Sequence, residues 1–394
     1  MQFPERFSNL PAYAFPRLRA LLDHHQPGGD VLHMTIGEPK HAFPPMVTDL
    51  ISKHAAGFNR YPPNDGAPEL FQAITDWITR RYGVSLSPDA NLLTLNGTRE
   101  GLFNSCIALC PESKGGKPVV LVPNPFYPVY AVAAAAVAAE PVFLPATRES
   151  GYLPDYSTLS EDILNRTAIA YICSPSNPQG SVASMEYWAN LLALAEKHDF
   201  RIFADECYAE IYRTAPPPGI LQAVQDTGAD PERVIAFHSL SKRSNLPGLR
   251  SGFAASGPKT IAALKQLRNY SGAPLPLPLQ MAAAEIWAEE THVDENRRLY
   301  QEKFSIAEDI LGDVEGFRLP DAGFFLWMPV SNGEETALHL WQQTGVRVLP
   351  GAYFARDVDG TNPGAAYIRV ALVADKDEVA RGLGEIRRHV YGEG

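Results

Sequence analysis

The chain has 394 residues, more than one ordinary domain holds and enough for a large domain with a smaller companion. An apolar fraction of 45% suits a globular protein with a sizeable core. The formal charge of -11 argues against a general nucleic-acid or anionic-membrane surface, while leaving room for a small cationic pocket.

The opening Met1-Gln2-Phe3-Pro4-Glu5-Arg6 has no apolar core and an early acid. It does not read as a signal peptide, and a cytoplasmic protein is expected. The apolar run Ala131 to Ala139 is too short to cross a bilayer, and its alanines favour a buried helix. From about residue 90 to 255, Val119–Val122, Ala168–Cys173, Arg201–Ala204 and Val234–Phe237 read as buried strands. Helical stretches such as Met185–His198 lie between several of them. That alternation predicts an α/β domain with a mostly parallel sheet covered on both faces. Beyond about residue 285 the expected elements are a charged helix over Asn296–Leu311, short strands near Phe317, Phe324–Trp327 and Tyr367–Val370, and a final helix from about Lys376. The expected division is a large domain over 36–285 and a smaller α+β domain built from 1–35 and 286–394. Cys106, Cys110, Cys173 and Cys207 read as reduced core thiols, with no metal site.

In an open parallel sheet, ligands bind at the carboxyl ends of the strands. After Ala168–Cys173 comes Ser174-Pro175-Ser176-Asn177-Pro178-Gln179-Gly180. After Arg201–Ala204 comes Asp205-Glu206-Cys207-Tyr208, and after Val234–Phe237 comes His238-Ser239-Leu240-Ser241-Lys242. An Asp at a strand end is usually a cap, and a lone Lys is usually solvated. Three consecutive strands delivering polar groups to one edge point to a site. Gly97-Thr98 opens a helix running from Arg99 to about Leu109, and helix N-termini bind phosphate.

Together with Gly37-Glu38-Pro39, Tyr61 with Gly66, Asn96-Gly97-Thr98, Pro125-Phe126-Tyr127, Arg250-Ser251-Gly252 and Arg369, these pieces resemble the fold-type-I, class I aminotransferases. The order and spacing of the pieces match over most of the chain. The resemblance implies a large domain with a mostly parallel central sheet flanked by helices, plus a smaller α+β domain. It implies pyridoxal 5'-phosphate as cofactor, bound covalently through Lys242, which also carries the proton. Asp205 would keep the ring nitrogen protonated, and Tyr208 and Asn177 would hydrogen-bond the ring oxygen. Tyr127 would stack on the ring face. Gly97, Thr98, Arg99, Ser239, Ser241 and Arg250 would surround the phosphate end, joined by Tyr61 from a second subunit. Arg369 would clamp the substrate α-carboxylate beside Gly37 and Asn177. The implied partners are an amino donor and a 2-oxo acid, on a homodimer with shared sites and without nucleic acid or membrane.

Lys40, Arg99-Glu100, Arg243, the stretch Pro247 to Gly252 and Asn362-Pro363-Gly364-Ala365 resemble the succinyldiaminopimelate aminotransferases within that family. Such a donor carries several carboxylates, so Lys40, Arg99, Arg243 and Arg17 become candidates for its far end. Alternatively, Arg243 pairs with a nearby acid, and Arg99 and Glu100 merely decorate a helix start. The stretch Ser271-Gly272-Ala273-Pro274 departs from the subfamily's usual His and Cys, which opens a change of specificity if it lines the substrate channel. The alternatives are a broad-specificity aspartate, alanine or aromatic aminotransferase, and a carbon–sulfur β-lyase of the same fold. A cofactor-sensing transcription factor is disfavoured by the acidic charge.

Overall fold

Seven strands make the central sheet of the computed structural model, which describes residues 5–8, 10 and 13–392. The reading of Met1 to Pro4 lies outside the described residues. The strands are β1 Leu92–Leu95, β2 Val119–Asn124, β3 Glu140–Pro145, β4 Thr167–Cys173, β5 Arg201–Asp205, β6 Val234–Ser239 and β7 Gly252–Ala255. Their order is β1-β7-β6-β5-β4-β2-β3, parallel except for β7, which runs against both of its neighbours. Side chains alternate along each strand and feed both faces. In β4, Ala170 and Ile172 join a cluster with Trp77, Trp188 and Trp287, while Ile169 and Tyr171 join one with Leu102, Phe126 and Tyr130.

The four central strands expected from sequence form, and β5 and β6 extend one and two residues further, to Asp205 and Ser239. The chemistry therefore starts on the strands rather than after them. The alanine-rich run is helical over Pro128–Ala136, and Met185–His198 is a helix as expected. No strand forms near Phe317. Its amide closes a turn onto the Val314 carbonyl after Gly316, which sits at a φ of 78°. The charged helix begins earlier than expected and spans Thr291–Leu311, because the Glu289 carboxylate accepts from the amides of Thr291 (2.6 Å) and His292 (3.1 Å).

A second, antiparallel sheet of β8 Phe325–Pro329, β9 Leu349–Pro350 and β10 Tyr367–Ala371 has the order β9-β10-β8. The last helix, Lys376–Ile386, starts on an Asp375 cap. Near the beginning of the chain, helix Ala14–Leu22 places Ala14, Leu18 and Leu22 against Trp341, Leu349, Tyr353 and Phe354. No helix among the described residues is long and apolar enough to cross a membrane.

Candidate functional site

Strands β4, β5 and β6 end beside one another, and β2 leaves toward one edge while β5 and β6 continue toward the other. A crevice at such a switch of strand direction is where this architecture takes ligands. A cavity of about 400 Å³ opens there, within the usual range for a cofactor with its substrate.

One end of the cavity is built to hold an anion. Ser239 Oγ donates to the Ser251 carbonyl at 3.1 Å, lies 2.9 Å from Ser241 Oγ and accepts from the Ser241 amide at 3.1 Å. Thr98 begins the helix Thr98–Leu109, whose first amides lack intrahelical partners. Arg250, in the left-handed region at a φ of 57°, donates to the carbonyls of Pro247 (2.8 Å) and Asn96 (3.1 Å). Gly97 lies under that guanidinium at a φ of 82°, and a side chain there would collide with it. Gly97→Ala should displace Arg250 and weaken cofactor binding by about tenfold or more, the weight of one charge-assisted hydrogen bond. Titrating cofactor into the cofactor-free protein by absorbance checks this; unchanged affinity would remove Arg250 from the phosphate cup.

At the centre, Asp205 is 4% exposed. Tyr130 donates its hydroxyl to Oδ2 at 2.9 Å, and the Cys207 amide reaches Oδ1 at 3.4 Å. Burial raises the Asp205 carboxyl above its ordinary range, and those hydrogen bonds only partly oppose it. A carboxylate held this way needs a cation, and a protonated ring nitrogen supplies one. Tyr127, at the start of Pro128–Ala136, accepts from Arg99 Nε at 2.7 Å. Tyr208 lies edge-on to Phe324 and Phe325, and burial pushes its hydroxyl well up. Lys242 donates its amine to the Gly37 carbonyl, and burial brings it down to about 8, so much of it is neutral a little above neutral pH.

At the other end, Arg369 on β10 is 4% exposed. Its guanidinium lies 4.1 Å from the centre of the Phe325 ring and 4.2 Å from that of Phe354. It donates to Asn177 Oδ1 at 3.0 Å and the Thr35 carbonyl at 2.6 Å, while Nε has no partner among the described residues. Burial lowers its pKa, opposed only by the neighbouring Tyr208. A buried cation with spare donors and no acid against it among the described residues suits a carboxylate.

The structure thus brings together at one cavity Gly37, Thr98, Arg99, Tyr127, Asn177, Asp205, Tyr208, Ser239, Ser241, Lys242, Arg250 and Arg369, with Gly97 packed beneath. Tyr61 is not among them; it is 99% exposed. Three of the four cations expected at the far end of the substrate are elsewhere. Arg243 is buried against Trp77 and Trp287 and pairs with Glu290 at 2.8 Å while donating to three carbonyls, because a buried guanidinium must find partners for its donors. Arg17 lies over the Tyr353 ring and pairs with Glu334 at 3.3 Å. Lys40 is exposed and outside the cavity. Ser271 also lies outside it, beside Arg268 and Asn104. Sequence reasoning missed Tyr130, Phe325 and Phe354, and the part of the wall made by Tyr13 and Phe15.

The family model for "Aminotransferase class I and II" matches residues 29–386. The chain is 32% identical to an LL-diaminopimelate aminotransferase of Dehalococcoides mccartyi over 399 residues, 98% of each protein. It is also 32% identical to one of Moorella thermoacetica over 403 residues, again 98% of each. Among solved structures, an aminotransferase from Neisseria meningitidis Z2491 superposes with a TM-score of 0.94 at 37% identity, covering 98% of this chain and 99% of that one. Aminotransferase AspB from Helicobacter pylori 26695 gives 0.90 at 33% identity over all of both chains. An anion cup, a buried acid awaiting a cation and a half-buried lysine within one cavity fit pyridoxal 5'-phosphate, and with this match along the chain they place the protein in the class I and II aminotransferase family, as a pyridoxal-phosphate-dependent aminotransferase.

Proposed function

We propose that the protein transfers the α-amino group of a diaminopimelate-type donor to a 2-oxo acid, 2-oxoglutarate being the acceptor expected. The observation that carries the amino-acid half of this reading is Arg369, buried without an acid and with donors to spare. The bound cofactor supplies an electron sink for the bonds broken at the α-carbon. The chain's own residues do the rest. Lys242 is poised to take the α-proton and return it, since its amine is partly neutral near working pH. Asp205 holds a proton on the ring nitrogen, Tyr208 and Asn177 face the ring oxygen, and Tyr127 covers the ring. Thr98, Ser239, Ser241 and Arg250 hold the phosphate, and Arg369 with Gly37 orients the donor. We place the enzyme in the cytoplasm as a homodimer; the bare Tyr61 ring suits a residue that completes its environment on a second subunit.

The sequence motifs resemble enzymes for the N-succinylated donor, whereas the relatives above are named for LL-diaminopimelate. The far end of the unmodified donor carries one carboxylate and one ammonium; that of the succinylated donor carries two carboxylates and no cation. Of the four cations considered for this end, Arg99 alone lines the cavity, and Glu38 lines it too. One cation with one acid matches the unmodified donor, which we favour. Glutamate formation from 2-oxoglutarate with LL-diaminopimelate, its N-succinyl derivative, aspartate, alanine and phenylalanine tests the order. Arg99→Met should raise KM for LL-diaminopimelate by roughly tenfold and leave alanine within about twofold. A preference for the succinylated donor would restore the reading from sequence. Equal rates with the simple donors would replace both by a broad-specificity enzyme.

A further inference from the structure

Outside the cavity, a continuous polar path from three segments of the chain ends on the backbone of Lys242. Lys303 on helix Thr291–Leu311 lies 2.7 Å from His41 Nε2. His41 Nδ1 lies 2.9 Å from Asn296 Oδ1, on the same helix. Asn296 Nδ2 donates to the carbonyls of Lys242 (3.3 Å) and Arg243 (3.5 Å), which end the one-turn helix Leu240–Arg243. Lys303 is 2% and Asn296 3% exposed. None of the three lines the cavity.

The path has one consistent direction. An ammonium has only donors, so Lys303 donates and His41 Nε2 accepts. The other ring nitrogen then carries the hydrogen and donates to Asn296 Oδ1. That fixes the amide, leaving Nδ2 toward the two carbonyls, which as the last of a helix lack partners of their own. Burial lowers Lys303 to about 8, so it keeps its charge at neutral pH; Asp375 acts on it without a hydrogen bond. His41 also ends the short strap that begins at Gly37, whose carbonyl faces the Lys242 amine. A second, aromatic path runs in parallel. Lys303 lies over the Tyr300 ring at 5.0 Å, Tyr300 stacks on Phe324 at 5.4 Å, and Lys242 Nζ lies over Phe324 at 5.4 Å.

We propose that Lys303, His41 and Asn296 are positioning residues for Lys242, fixing both the main chain that carries its amine and the strap that the amine faces. The inference rests on Lys242 being the reacting amine. Without the charge at Lys303, neither the His41 tautomer nor the Asn296 amide is fixed, and an amide turned the other way would set oxygen against the carbonyls.

The test uses Lys303→Met, Asn296→Leu and the restoring variant Lys303→Arg. In each cofactor-free protein, competitive acetylation across pH, read by mass spectrometry, gives the titration midpoint of Lys242. Steady-state kinetics follow on the loaded enzyme, and thermal melts show which variants fold. For Lys303→Met and Asn296→Leu the midpoint should rise by about one unit as the amine loses its buried place. The expected kinetic change is a roughly tenfold fall in kcat with KM within about twofold. Lys303→Arg should recover most of both. A purely structural role would lower the melting temperature alone, so a folded Met or Leu variant with unchanged midpoint and kcat overturns the proposal. Borohydride reduction of the unaltered loaded enzyme tests the underlying reading separately. Cofactor fixed at another residue ends the role of Lys242 and the relay with it; cofactor fixed at Lys242, with indifferent variants, ends only the relay.

Discussion

Asp205→Ala should lower kcat about a thousandfold while the cofactor stays bound. The carboxylate is buried, with a tyrosine hydroxyl and one amide as its hydrogen-bond donors. Its proposed partner in the loaded enzyme is a proton-bearing ring nitrogen, and removing one member of a buried charged pair costs about 3–5 kcal/mol. That cost appears in the barrier, because the ring withdraws electrons most strongly when protonated; at about 1.4 kcal/mol per tenfold it amounts to two to four decades in rate. The phosphate end is assigned to other residues that line the cavity, Thr98, Ser239, Ser241 and Arg250, so occupancy should fall much less than turnover. Absorbance for bound cofactor and stopped-flow turnover measure the two separately. Turnover within tenfold of the unaltered enzyme would refute the role given to Asp205.

Arg369→Lys should cut kcat/KM by two to three decades for every amino-acid donor alike. Lysine keeps the charge but loses the planar fork that can hold a carboxylate with two parallel bonds and that meets the rings of Phe325 and Phe354. Truncating a buried, hydrogen-bonded charge contact costs about 2–5 kcal/mol. Because every donor carries an α-carboxylate, alanine and LL-diaminopimelate should lose equally. That separates this variant from Arg99→Met, whose loss is confined to donors with a charged far end. A selective loss in Arg369→Lys would move Arg369 to the far end of the substrate.

The parts of the site legible in sequence are those that follow continuous apolar strands. Asn177, Asp205 and Lys242 each come after a run buried on both faces, and periodicity locates such runs. Strand β3 is hidden because Glu140–Pro145 begins with an acid and holds two prolines, which an edge strand tolerates and a central one does not. Strand β7 is four residues of Gly, Phe and Ala with no polar alternation. Arg243 shows a different limit. It stands next to Lys242 in sequence, yet the tight turn of Leu240–Arg243 sends the lysine to the cavity and the arginine into the core against two tryptophans. Tyr130 sits in an alanine-rich helix and meets Asp205 across 75 residues, a contact with no local signature. Paired cations around a substrate end are likewise a matter of tertiary placement, which is why Arg17, Lys40 and Arg243 read as candidates and lie elsewhere.

The reversal of β7 has a consequence for what the enzyme can accept as cofactor. Ser239 on β6 is in register with Gly252 on β7, and the amide of Leu240 and the hydroxyl of Ser239 both bind the Ser251 carbonyl. The chain between these points is therefore a closed loop of set length, pinned at its base. It carries Lys242, the amine proposed to meet the aldehyde, and Arg250, the guanidinium proposed to meet the phosphate. On the proposed roles the loop would act as a gauge: a molecule with the same two functional groups at a longer spacing should engage one end of it or the other, so selection of the cofactor by size is the expected outcome.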